Sequence, residues 1–251
     1  MKHRIILAGA TGAIGRRLVP LLVDTGHVVI GTTRAADKAS LLRAMGADAV
    51  VVDVFDVAAL AQALRQARPD LVIHQLTDLP PALDPARMAD AVHRNARIRR
   101  EGTRNLVAAA VAAGVPRMIA QSIAWAYAPG LEPHDEEAPL DAAAEGIRAV
   151  SIGGVVALEE AVLHTAGLDG VVLRYGQLYG PGTGRDAPEG GSPLHVDAAA
   201  FAALCAIDHA RSGIFNIAEA NDHVTTEKAR ALLRWDSSFR LGPRTRIAAF
   251  G

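Results

Sequence analysis

The sequence predicts an α/β fold: a doubly wound parallel sheet, covered by helices on both faces, with a small C-terminal lobe. Three observations predict it. Short apolar runs alternate with helix-period runs from residue 4 to residue 174. Several runs are continuously apolar, as in Leu71-Val72-Ile73, which suits strands buried on both faces. A glycine-rich turn joins the first strand to the first helix. At 251 residues the chain is long enough to bury a full core as one unit.

The elements follow in order. Residues 4–8 form the first strand and 13–25 the helix after it. Residues 28–33, 49–52, 71–75, 117–122 and 170–174 read as further strands. Helices are expected over 37–45, 57–68, 85–113 and 151–165. This rhythm requires right-handed crossovers and a parallel sheet. Residues 180–193 are dense in glycine and proline and read as an irregular loop. An alanine-rich helix, a strand at 213–217 and a helix at 226–233 follow. The expected division is 1–178 for the dinucleotide-binding part and 179–251 for a lobe woven onto it.

The turn reads Gly9-Ala10-Thr11-Gly12-Ala13-Ile14-Gly15. Its spacing, GxxGxxG, is a variant of the dinucleotide fingerprint, and strand before and helix after strengthen it. Gly9 permits a tight turn, Gly12 a close phosphate and Gly15 close packing of helix on strand. Open N–H groups and the positive helix end favour a pyrophosphate. Such a sheet is of the Rossmann type. The end of the second strand selects the cofactor: an acid there binds a free ribose hydroxyl, a basic residue a 2′-phosphate. Here Gly31-Thr32-Thr33-Arg34 has no acid before Asp37, so Arg34 predicts NADP(H) in preference to NAD(H). Asp53 and Val54 end the third strand beside the adenine, with Asp53 accepting from its amino group. Leu76 and Thr77 end the fourth strand near the diphosphate or ribose.

Charge and composition exclude other classes. The net charge is -1 and basic residues are not massed, so bulk charge does not suggest nucleic acid. The single cysteine, Cys205, excludes an internal disulfide framework and reads as core. No charged-then-apolar leader and no bilayer-length apolar run are seen, so a cytoplasmic protein is expected. The histidines show no metal-ligand spacing, so no metal is expected. His74, within a strand, reads as a satisfied core residue. No Gly-x-Ser-x-Gly elbow is found, which disfavours a serine hydrolase.

The chain resembles the short-chain dehydrogenase/reductases, specifically their extended, epimerase/dehydratase-like branch. The resemblance rests on the glycine turn, Asp53 and Asp56, Gly102-Thr103-Arg104-Asn105-Leu106, Gln121-Ser122-Ile123-Ala124, the run from Arg174 to Gly182, and His195-Val196-Asp197-Ala198. It implies a nicotinamide cofactor and a substrate pocket shaped by the C-terminal lobe. It implies that Ser122 contacts the reacting oxygen. It also implies that Tyr175, Gly176 and Leu178 border the nicotinamide. His195 and Asp197 are expected to fix the lobe by hydrogen bonds.

The family's proton-transfer pair is Tyr-x-x-x-Lys on the helix after the fifth strand, with the lysine lowering the tyrosine pKa. The tyrosines here are Tyr127, Tyr175 and Tyr179, and none has lysine four residues on. Aligned on Glu159, the tyrosine position holds Ser151 and the lysine position Val155. Tyr127 is the candidate replacement acid; otherwise it and Trp125 wall the pocket. His134, Asp135, Glu136 and Glu137 on the same connection are further candidates; as a charge run they read otherwise as a solvated loop. The helix over 151–165 is apolar around most of its girth, which predicts deep burial or a homodimer.

Three functions remain open at this level. The first is an NADP(H)-dependent oxidoreductase or epimerase-like enzyme acting on a small carbonyl or hydroxyl substrate. The second is a non-redox cyclase, lyase or dehydratase on the same scaffold. The third is a catalytically inactive sensor of NADP(H).

Overall fold

Parallel strands order the molecule, and each strand sends alternate side chains to opposite faces. The computed structural model describes residues 1–80, 83–209 and 211–242. Positions 243–251 of the expected lobe lie outside the described residues. The strands are β1 (Arg4–Ala8), β2 (Val28–Thr33), β3 (Asp48–Val51), β4 (Leu71–His74), β5 (Arg117–Ile123), β6 (Asp169–Tyr175), β7 (Gln177–Tyr179), β8 (Pro193–His195) and β9 (Gly213–Ile217). The helices are α1 (Ala13–Asp24), α2 (Ala39–Ala44), α3 (Val57–Ala67), α4 (Met88–Arg97), α5 (Thr103–Ala112), α6 (Gly146–Leu163), α7 (Val196–His209) and α8 (Glu227–Leu233).

The main sheet is seven-stranded in the order β3-β2-β1-β4-β5-β6-β9, and every pairing in it is parallel. This is the Rossmann-type sheet. The chain order reverses between β1 and β4, and ligands of open α/β sheets bind at that switch point. The expected lobe strand, β9, hydrogen-bonds to β6 within this sheet. β7 and β8 form a separate two-stranded sheet that the glycine- and proline-rich composition concealed.

Period-two alternation splits the core into two layers. Ile5 and Leu7 of β1 face α1 and α7, packing with Leu18, Leu22, Ala199 and Phe201. Ile6 and Ala8 face α3, α5 and α6, packing with Leu64, Leu106 and Leu158. The same parity places Ile119 of β5 in the first layer and Met118 and Ala120 in the second. Cys205 is buried in the first layer.

Three boundaries differ from the sequence reading. The helix expected over 85–113 is interrupted by a π-helical turn, Ile98–Gly102, between α4 and α5. A helical period read by eye does not register one inserted residue. α6 begins at Gly146, five residues before the apolar stripe that announced it. The helix expected over 37–45 is a 3₁₀ turn, Ala36–Lys38, followed by the shorter α2. Elsewhere local chemistry marks the ends: Asp56 caps α3 by accepting from the Ala59 N–H at 3.0 Å.

Candidate active site

A cleft of about 640 Å³ opens at the carboxyl ends of the strands, over the switch point. Its volume lies in the range usual for small-molecule sites. The glycine turn forms one wall. Gly9 has φ +88°, and a Cβ there would lie 2.4 Å from the Gln75 carbonyl oxygen of β4's end. A Cβ on Gly15 would lie too close to the Gly9 carbonyl to be accommodated. Gly15 therefore packs α1 against the turn and does not itself line the cleft. Gly12 is the α1 N-cap, with no capping side chain, and the first turn holds no acid. Its first N–H groups are thus left to a ligand, and nothing there repels an anion.

The rest of the expected cofactor set lines the same cleft: Thr11, Ala13 and Ile14 from the turn; Arg34; Asp53 and Val54; Leu76 and Thr77; Tyr175, Gly176 and Leu178. Arg34 is largely exposed and reaches Asp78 at 3.3 Å, a carboxylate it shares with Arg94 at 3.5 Å. Lys38, at the end of the 3₁₀ turn, lines the cleft four residues beyond Arg34. One Asp53 oxygen accepts from the Phe55 N–H at 2.9 Å. Gln75 also lines the cleft; its Nε2 donates to the Tyr175 hydroxyl, and its buried Oε1 has no partner among the described residues. Open amides and a glycine cradle at a helix N-terminus are the donor set that the diphosphate of a nicotinamide dinucleotide requires.

Ser122 and Tyr127 do not join this cleft. β5 parity turns Gln121 and Ile123 toward it and Ser122 away, onto α6. Ser122 is fully buried and donates to Glu159 Oε1 at 2.7 Å. Glu159 is clamped by Arg174, Nε to Oε1 at 3.0 Å and Nη2 to Oε2 at 2.6 Å. Arg174 lies over the Tyr127 ring, 4.9 Å from its centre, and Tyr127 donates to Asn216 Oδ1 at 2.6 Å. Burial pushes the Tyr127 hydroxyl above its ordinary pKa, against the opposing pull of Arg174. The expectation that these two residues touch the reacting atoms is therefore not met. A hydroxyl match along a strand says nothing about which face the residue takes.

The acidic run departs from a solvated loop: the Glu136 carboxylate accepts from the Asn216 N–H at 2.8 Å, inside the same network, and the His134 ring stacks on Tyr127. Trp125 does line the cleft. Val155 is buried against Ile123 and Ile152, so no charge stands at the lysine position. Ser151, at the tyrosine position, faces the cleft.

Other buried polar groups are structural. His74 Nδ1 accepts from the Leu76 N–H at 3.2 Å, so its Nε2 carries the proton toward Thr103 Oγ1 at 3.0 Å. Burial, and secondarily Arg99, pull its pKa down to about 4. Asp197 binds Arg17 of α1 at 2.5 Å and accepts from the Leu241 N–H at 3.0 Å. It thereby ties α7 to α1 and to the segment after α8.

Sequence reasoning missed Lys38, Arg99, Gln121 and Arg185 as cleft residues. Lys38 had a signal, its four-residue spacing from Arg34. Arg99 had none, because the π-helical turn sets its direction.

Residues 9–204 match a family model described as NAD(P)H-binding. The chain is 42% identical over 255 residues to a 3-diazoavenalumate denitrifying reductase of Streptomyces, covering 92% of this chain and 79% of that protein. Among solved structures it is similar to the UDP-glucose 4-epimerase of Thermotoga maritima, with a TM-score of 0.75, 18% identity and 94% of each chain covered. It is also similar to Pal from Bacillus thuringiensis, with a TM-score of 0.76, 21% identity and 96% and 95% covered. These structures share its fold. The chain belongs to the NAD(P)H-binding family, with a Rossmann-type fold like that of the epimerase/dehydratase-like dehydrogenase/reductases. Among the described residues, no helix is long and apolar enough to cross a membrane.

Proposed function

We propose that this protein is an NADP(H)-dependent reductase through which hydride displaces dinitrogen from an aryl-diazonium-bearing carboxylic acid. One observation carries the reading: the cleft has a cofactor cradle but no tyrosine–lysine pair beside it. Reducing a carbonyl makes an alkoxide, which needs a proton; a positioned acid is worth about 10²–10⁴ in rate. A diazonium carbon needs none. Hydride plus R–N₂⁺ gives R–H and N₂: the C–N bond breaks, dinitrogen leaves, and the charges cancel. The similarity to a reductase named for denitrifying a diazo compound supports this substrate class.

The residues divide the work. The amides of Thr11, Ala13 and Ile14 hold the diphosphate, with Gly9, Gly12 and Gly15 shaping the turn. Arg34, with Lys38, takes the 2′-phosphate. Asp53 and Val54 flank the adenine, Leu76 and Thr77 the ribose and diphosphate. Tyr175, Gly176 and Leu178 border the nicotinamide, which supplies the hydride when bound. Gln121, Ile123 and Trp125 wall the reacting end and exclude water. Residues 1–178 form the cofactor part, and the described residues from 179 onward the substrate lobe. A homodimer through α5 and α6, with Val111 exposed on α5, completes this reading.

Anaerobic turnover with NADPH tests it. The expected result is one dinitrogen released per NADPH oxidised with a diazonium-bearing benzoate, and negligible oxidation with the matching benzaldehyde. Oxidation with the aldehyde alone would return the chain to carbonyl reduction.

A further inference from the structure

The reacting end of the cleft holds a cation that no part of the cofactor reading uses. Arg99 sits in the π-helical turn, a feature that recurs at functional sites. It lines the cleft with Ser151 and reaches that residue's Oγ at 3.4 Å. Close packing sets the pair: a Cβ on Gly154 of α6 would lie 2.9 Å from the Ala96 Cα of α4. One turn back along α6 and three residues on from Ala96, Ser151 then meets Arg99.

Resting on the reductase reading, we propose that Arg99 anchors the carboxylate of the substrate, with Ser151 as its hydrogen-bonding companion. The charges around it leave this role open. Glu159 is the acid that acts on it, and that carboxylate is already held by Arg174 and Ser122. Glu101 pairs with Arg97, and Asp78 with Arg34 and Arg94. His74 is held neutral by burial. Among the described residues Arg99 has no ion pair within 4.0 Å. Burial lowers its pKa to about 10, so it remains charged at neutral pH. A guanidinium in this setting gains a charge-assisted, two-pronged bond from a carboxylate. A neutral substrate gains nothing comparable. The arrangement thus selects acids, and it fixes one end of the substrate so that the other meets the nicotinamide.

Calorimetry on the full chain loaded with NADP⁺ tests this, with 4-hydroxycinnamate and 4-hydroxycinnamyl alcohol as probes. The acid should bind about 10- to 100-fold more tightly than the alcohol. Arg99→Gln should abolish the difference, and Arg99→Lys should restore part of it. Both variants should bind NADPH like the parent chain. The proposal is overturned if the parent chain does not prefer the acid, or if Arg99→Gln keeps the preference. It is also overturned if Arg99→Gln loses NADPH affinity in parallel, which would give Arg99 to a cofactor phosphate. A parent chain that takes up no NADPH would refute the reductase reading itself, and the carboxylate anchor with it.

Discussion

The two ends of the cleft are built on opposite terms. At the end built by the glycine turn, backbone amides and glycines face the cleft, and side chains such as Arg34 stand open to solvent. At the reacting end, the polar side chains expected to do chemistry are turned inward and saturated. Ser122, Glu159, Arg174, Tyr127 and Asn216 form one buried chain of bonds beneath the sheet. Polar groups so placed specify packing and have no free valence for a substrate. The difference teaches that the glycine turn leaves its polar groups open to the cleft, while the polar side chains of Ser122 and Arg174 on β5 and β6 serve the core.

Four experiments sharpen or break that contrast. Glu159→Ala leaves the Arg174 charge buried without a partner, and should cost about 3–5 kcal/mol in urea unfolding. A cost near zero would mean the network is not part of the core. His74 gives the next largest effect. Its folded pKa of about 4 lies below the unfolded 6.5, so the unfolded chain binds a proton that the folded one refuses. Its contribution is complete above pH 6.5 and falls away toward pH 4, by about 3 kcal/mol. Denaturation at stepped pH should show this loss in the parent chain and flatten it in His74→Gln.

Arg34→Ala should weaken NADPH by about tenfold or more and leave NADH nearly unchanged, read by fluorescence titration. Equal loss for both cofactors would remove the 2′-phosphate assignment. Tyr127→Phe is the smallest. It should cost about 1 kcal/mol of stability through the lost bond to Asn216. It should spare turnover, where removal of a catalytic acid would cost about 10²–10⁴.

The same contrast explains what could be read in the sequence. The parallel sheet and the glycine turn were legible because each depends on local patterns: alternating apolar runs and glycine spacing. The lining of the cleft at Arg34, Asp53, Val54, Leu76 and Thr77 follows from where strands end, which the same pattern reveals. The reacting end was not legible. Ser122 matched a family position in sequence, but one residue of strand parity decides between cleft and core. The direction of Arg99 depends on a single inserted residue in a helix. Tyr127 is buried by Arg174 and Asn216, which lie far from it in the chain.

The account stands on hydride transfer without a protein proton donor. Single-turnover oxidation of bound NADPH by a diazonium-bearing benzoate, compared in H₂O and D₂O, tests it most directly. The predicted result is the same rate in both solvents. A rate that falls in D₂O would place a proton transfer in the step and contradict the account.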